Sequence, residues 1–106
     1  MMVSVEVMAE QFKLLGDKTR LKIVALVSQQ QMCVCHLVEI LQTTQPNISQ
    51  HLRKLKDAGL VAEERRGQWI YYSLSIEDKP HLKEVLQYLP QPGEEEQKKI
   101  NATLCE

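Results

Sequence analysis

The sequence predicts a mainly α-helical domain carrying one small β-hairpin, and three observations support this. Apolar residues recur at spacings of three and four in five separate segments, a single aromatic and β-branched stretch follows a glycine, and Gly or Pro marks most boundaries between them. The chain has 106 residues, which is one domain's worth. Apolar residues make up 43% of it and charged residues 25%, the balance of a folded domain and not of a disordered chain or a rod.

Residues 5–15 form the first expected helix, with Val5, Met8, Phe12 and Leu15 assigned to its buried face. Gly16 ends it, and Asp17 or Thr19 caps a second helix over residues 18–27. That helix is apolar nearly all round (Leu21, Ile23, Val24, Leu26, Val27), as a central core element should be. Cys33 opens a third helix patterned by Val34, Leu37, Val38 and Leu41. After the polar run Gln42-Thr43-Thr44-Gln45, Pro46 suits the first turn of a fourth helix, because its missing N–H has no partner there. Ile48, Leu52 and Leu55 are its buried stripe and Ala58-Gly59 its stop. The period then changes to that of a hairpin whose second strand is Trp69-Ile70-Tyr71-Tyr72-Ser73-Leu74 and whose tip is Arg65-Arg66-Gly67-Gln68. A fifth helix occupies residues 81–89 and ends at Pro90. The domain thus covers residues 1–90, and residues 91–106 read as a flexible tail carrying Cys105.

The order α-α-α-α-β-β-α, with two short helices around a tight polar turn and then a hairpin with arginines at its tip, is that of a winged helix-turn-helix, a reader of duplex DNA. Amide and hydroxyl side chains that can read base edges gather toward the start of the fourth helix: Gln45, Asn47, Ser49 and Gln50. Arg53 and Lys54 follow one turn later, and with Arg65, Arg66 and Gln68 of the wing they suit phosphates. A solvated helix face has the same composition, so only the surrounding element order points to DNA. His51 lies nearer the buried stripe and is assigned to structural hydrogen bonding, and Trp69, Tyr71 and Tyr72 to packing of the wing. The formal net charge of -1 excludes binding by bulk positive charge. Residues 43–72 nevertheless carry five cations against three anions, so a modest basic face is local to the reading region.

Three cysteines without an N-terminal secretory pattern or a long apolar span point to a cytoplasmic protein, off the membrane, with thiols and no disulfide framework. Cys33-Val34-Cys35 is followed directly by His36. A thiolate pair selects thiophilic ions, and a helix N-terminus favours the ionised form. Positions i and i+2 lie about 200° apart on an ideal helix, so joint chelation there demands local distortion. No Gly-rich phosphate loop and no paired carboxylates near a His accompany them, so neither an enzyme nor a permanent cofactor is expected. A thiol redox switch using the same cysteines is the competing reading, and His36 joining the two thiols on zinc is another.

Cys33-Val34-Cys35-His36-Leu37, Gln45-Pro46-Asn47-Ile48-Ser49-Gln50-His51-Leu52-Arg53-Lys54-Leu55 and Arg65-Arg66-Gly67-Gln68-Trp69-Ile70-Tyr71-Tyr72 resemble the ArsR/SmtB family of metalloregulatory repressors, and Asp17-Lys18-Thr19-Arg20-Leu21 resembles that family's second-helix start. The resemblance runs over residues 9–89. It implies a homodimer, assembled through the first and last helices, that leaves an inverted-repeat operator when an inducer binds. In the arsenic-sensing branch, thiols at the start of the third helix capture As(III) or Sb(III). Where that branch has a third Cys this sequence has Val38, so Cys105 is the candidate third ligand beside Cys33 and Cys35. Relatives that sense Cd(II) or Pb(II) add cysteines in the N-terminal arm, which are absent from residues 1–12. The zinc branch uses Asp and His along the last helix, echoed weakly by Asp78 and His81.

Overall fold

The structure, a computed structural model, describes residues 3–90 and 93–102. Helix α1 (Val5–Leu15) begins at Ser4, whose hydroxyl accepts from the Val7 N–H. Helix α2 (Lys18–Gln29) begins at Asp17, whose carboxylate takes the Arg20 N–H at 3.0 Å and so satisfies one of the unpaired donors of the first turn. Strand β1 (Met32–Cys33) leads straight into α3 (Val34–Leu41), and Gln42, at φ 54°, turns the chain toward α4 (Gln45–Asp57). Thr44 is the cap of α4, accepting from the Asn47 N–H, with Pro46 inside the first turn as expected.

The end of α4 is fixed by two hydrogen bonds, Gly59 N–H to the Lys56 carbonyl and Leu60 N–H to the Leu55 carbonyl. Gly59 stands at φ 78°, the left-handed position that ends many helices, and Leu55 and Leu60 are both buried beneath it. Strands β2 (Val61–Arg66) and β3 (Trp69–Leu74) then pair antiparallel with Arg66 opposite Trp69. The loop is therefore only Gly67 and Gln68, tighter than the four-residue tip read from the sequence, and Gly67 at φ 64° meets what a two-residue hairpin asks of its first central residue. Helix α5 (Pro80–Leu86) is shorter than the expected 81–89, its last residues passing into turns.

Two elements were not expected. Strand β1 adds a third member to the hairpin, in the order β1-β3-β2, with Met32 opposite Tyr72 and Cys33 opposite Tyr71. Two residues are too short for an alternating pattern to register. Helix α6 (Glu94–Ala102) replaces part of the expected flexible tail: it packs on α3, and Ile100 is buried in the core. Its polar composition, with Glu94, Glu95 and Glu96 opening the first turn, hid a helix held by essentially one apolar residue.

The core joins Ile23, Val24, Leu26 and Val27 of α2 to Leu37 and Ile40 of α3 and to Ile48, Leu52 and Leu55 of α4. Truncating a residue as buried as Leu52 to Ala costs about 2–5 kcal/mol. Helix α1 departs from its expected face. Leu15, together with Leu14 and Gln11, is buried, whereas Val5 is 80% exposed and Phe12 41%. Phe12 instead shares an open apolar trough with Leu21, Val85, Tyr88 and Leu89, and the His81 ring nitrogen Nε2 ties α5 to α1 at 2.7 Å from Gln11 Oε1. No helix among the described residues is long and apolar enough to cross a membrane.

Candidate metal centre and nucleic-acid interface

The two cysteines of the third-helix motif occupy different elements. Cys33 is in extended backbone (φ -88°, ψ 170°), the last residue of β1 and the cap of α3, while Cys35 lies in the first turn of α3. The helical separation that would have demanded distortion therefore does not arise, because one of the pair precedes the helix. Their Cα atoms are 5.4 Å apart and the structure joins the sulfurs as a disulfide. This corrects the expectation of unlinked thiols, but the link is a local clip across one residue and no framework across the core. Cys33 is buried and Cys35 exposed.

His36 completes the cluster. Its Nδ1 accepts the Cys33 backbone N–H at 3.4 Å, the reciprocal arm of a capping box, and its ring meets Tyr71 edge-on at 6.4 Å. Burial pushes its pKa down, and its buried Nε2 has no hydrogen-bond partner among the described residues. One donor atom each from Cys33, Cys35 and His36 lies within 4.8 Å of the others. With the disulfide reduced, two soft sulfurs and an imidazole form a set that suits thiophilic ions, not Mg or Ca. Asp78 and His81 make no comparable pair, since Asp78 pairs with Lys79 at 2.9 Å and His81 is engaged by Gln11. Cys105 lies outside the described residues.

The cysteines face an open cleft of about 480 Å³. Val34, Val38 and Glu39 of α3 form one side, Trp69 and Ile70 of β3 another, and Gln45 of α4 and Gln68 of the wing loop its rim. The two cysteines and the start of α4 therefore share one cavity. Strand pairing adds a second connection: Cys33 is in register with Tyr71, and the Arg66 guanidinium stacks over the Tyr71 ring at 4.7 Å.

On α4, Gln45, Ser49, Gln50, Arg53 and Lys54 are exposed as expected of a reading face. Asn47 is half-buried and donates from Nδ2 to Thr43 Oγ1 at 3.0 Å, so it braces the turn. Lys54 lies at the edge nearest α1 and α2, lining a cavity with Lys13 and Arg20. Of the wing residues, Arg65 is exposed, whereas Arg66 is engaged by Gln31 and Glu64 besides Tyr71. Polar ties of this kind are invisible to residue spacing, because Gln31 is 35 positions from Arg66.

His51 has the structural role its position predicted. Its Nδ1 stands 3.1 Å from the Arg20 guanidinium, and Nε2 faces the Asp17 carboxylate at 4.0 Å. Arg20 also donates from Nε to the Leu14 carbonyl at 2.8 Å, so one guanidinium connects the end of α1, the start of α2 and the middle of α4.

Residues 17–63 match the family described as bacterial regulatory protein, arsR family. The chain is 44% identical over 72 residues to the arsenical resistance operon repressor of Escherichia coli (strain K12), covering 67% of this chain and 58% of the relative, so it spans little more than half of that protein. It is 43% identical over 70 residues to the arsenical resistance operon repressor of Bacillus subtilis (strain 168), covering 65% of this chain and 67% of the relative. Among solved structures, the homodimeric winged helix-turn-helix DNA-binding domain of a possible regulator from Mycobacterium bovis superposes with a TM-score of 0.69 at 29% identity, covering 78% of this chain and 77% of that one.

Proposed function

Because the chain belongs to the ArsR family of bacterial regulatory proteins, we propose that it is a transcriptional repressor that binds an inverted-repeat operator as a homodimer and is released when As(III) or Sb(III) binds its cysteine thiolates. The observation that carries this reading is the shared cleft: Cys33 and Cys35 open into the cavity whose rim is Gln45 of the reading helix and Gln68 of the wing. A ligand seated on the sulfurs acts where the protein meets DNA, and the Cys33 to Tyr71 to Arg66 contacts give it a second route to the wing.

Gln45, Ser49 and Gln50 read bases, with Asn47 holding the turn that presents them. Arg53, Lys54, Arg65 and Arg66 meet phosphates. Cys33 and Cys35 supply two ligands once reduced, and Cys105 is the proposed third. Its case is supported by α6, which packs on α3 and ends three residues before it. The exposed apolar residues of α1 and α5 supply the dimer contact.

The test is a titration of operator-bound protein with As(III), Sb(III), Cd(II), Pb(II) and Zn(II) under reducing conditions. Release at the lowest concentration by As(III) or Sb(III) supports the proposal, and retention of DNA against both overturns it. A redox switch is the second reading, favoured by the Cys33–Cys35 link. It requires that oxidant alone releases DNA and that arsenite under reductant does not. A divalent-ion sensor is the third, favoured by the convergence of Cys33, Cys35 and His36, and Cd(II), Pb(II) or Zn(II) leading the same series identifies it.

A further inference from the structure

A helix about 10–12 Å across fills a major groove about 12 Å wide, so a reading helix has a phosphate backbone along each flank. One flank of α4 faces the wing, where Lys56 pairs with Glu63 of β2 at 2.7 Å. Lys54, two residues earlier and so about 200° away around the helix, faces the other way. It lines an open cavity of about 440 Å³ with Lys13 of α1 and Arg20 of α2. Gln50 and Arg53 are exposed between these two flanks, so the cavity continues the reading face toward α1. Glu10, which also lines it, is about 200° around α1 from Phe12, and the cavity is therefore separate from the apolar trough.

The cations of this cavity are differently committed. Arg20 is fixed by its bonds to the Leu14 carbonyl and the His51 ring, which use only part of the five N–H donors of a guanidinium. Lys13 and Lys54 are exposed, and neither has an ion-pair partner among the described residues, whose lysine and arginine pairs engage Lys56, Arg66, Lys79 and Lys83. Three cations against two carboxylates, Glu10 and Asp57, leave a formal excess of one positive charge.

We propose that this cavity seats a phosphate of the duplex backbone on the side of α4 away from the wing, with Lys13 as a DNA contact supplied by α1. This rests on the repressor reading above and extends its interface beyond the helix-turn-helix and the wing. Lys13 and Lys54 donate to the phosphate oxygens, the fixed Arg20 adds positive charge behind them, and Glu10 and Asp57 weaken the seat.

The experiment uses the reduced full-length protein and a duplex that it enriches from a random-sequence pool, titrated over a range of salt. Lys13→Gln should make the slope of log affinity against log salt shallower by about 0.9 per half-site and leave base preference unchanged. Lys13→Arg should restore the slope, and Lys22→Gln, an exposed lysine of α2 outside the cavity, should keep it. Asp57→Asn should act oppositely, tightening binding by at least about twofold at low salt, an effect that fades as salt screens it. Lys13 also stands in the last turn of α1, where a cation complements the helix dipole; that role alone would lower the thermal midpoint of K13Q and spare its slope. A parental slope in K13Q, or an equal loss in K22Q, overturns the inference while the repressor reading stands. Lys13-dependent binding of pyrophosphate by the DNA-free protein, with the DNA slope unmoved, also overturns it and marks a small-anion site instead. If the parent enriches no duplex, both fall.

Discussion

The apolar trough beside α1 and α5 and the cleft beside the cysteines differ in what they ask for. The trough beside α1 and α5 offers Phe12, Val85 and Tyr88, exposed at 41%, 46% and 77%, with no reactive group among the described residues that line it. The cleft of α3, α4 and the wing offers apolar walls around two cysteines and a glutamate. A surface that is only apolar is satisfied by another apolar surface, as a self-complementary dimer contact provides. A surface with soft ligands at its base is satisfied by a small reactive molecule. On the proposed function assembly belongs to one face and sensing to the other, and the first two variants below should each damage one and spare its counterpart.

The largest effect is expected from the trough. Phe12→Glu with Tyr88→Glu places carboxylates twice over in a two-fold contact, so the dimer dissociation constant should rise by at least about a hundredfold. Since neither side chain belongs to the buried core, the circular dichroism spectrum should be unchanged. Analytical ultracentrifugation measures the first and operator affinity should fall with it, while arsenite still perturbs the fluorescence of Trp69 in the cleft. A variant that stays dimeric removes the trough from assembly.

The converse variant is Cys33→Ser. Serine is a good helix cap, so α3 should keep its start, and unliganded operator binding should stay within about threefold of the parent. Because a hydroxyl is a poor soft ligand, the arsenite concentration for half-release should rise by at least about a hundredfold. If it does not move, sensing belongs elsewhere.

These two surfaces were unequally legible in the sequence. The Cys33-Val34-Cys35 motif announces its chemistry through residue type alone, and only its geometry escapes the spacing, because the helix starts one residue later than the spacing implies. Phe12 and Val5 were assigned to the core, since the three-and-four spacing that marks a buried helical face is identical whether the face is covered by the same chain or a second one. The reading helix and hairpin were recovered nearly to the residue, because Thr44, Pro46, Gly59 and Gly67 each impose a local backbone geometry. Strand β1 and helix α6 were not: one is too short to show a period and the other is held by Ile100. The cleft depends on four segments meeting, information that no local pattern carries.

A smaller effect should separate the two roles within the DNA face. Gln50→Ala removes a candidate base reader and should shift preference at one operator position by about 1–3 kcal/mol with little change in salt dependence. Arg53→Ala should weaken all sequences alike and make the slope of log affinity against log salt shallower by about 0.9 per half-site. Operator variants titrated over a range of salt distinguish them, and identical behaviour of the two would merge the roles.

The smallest effect concerns the tie that holds α4 to the scaffold shared by both surfaces. Burial lowers the pKa of His51, Asp17 raises it, and Arg20 and Lys54 lower it further, with a net shift downward. A histidine depressed in the fold binds its proton more weakly there than in the unfolded chain. Stability is therefore complete above the unfolded value near 6.5 and is lost as pH falls through the folded value, after which the loss is constant. The neutral ring also suits the geometry, since Nδ1 faces the Arg20 guanidinium and would have to carry a proton against it. Thermal unfolding followed from pH 7.5 to 5 should show a falling midpoint. His51→Gln, which keeps a polar group near Arg20 but cannot be protonated, should lessen that fall without abolishing it, because burial shifts His36 in the same direction. An unchanged pH slope in the variant would mean that the Asp17, Arg20 and His51 tie is indifferent to protonation, leaving His36 beside the cysteines as the acid-sensitive group.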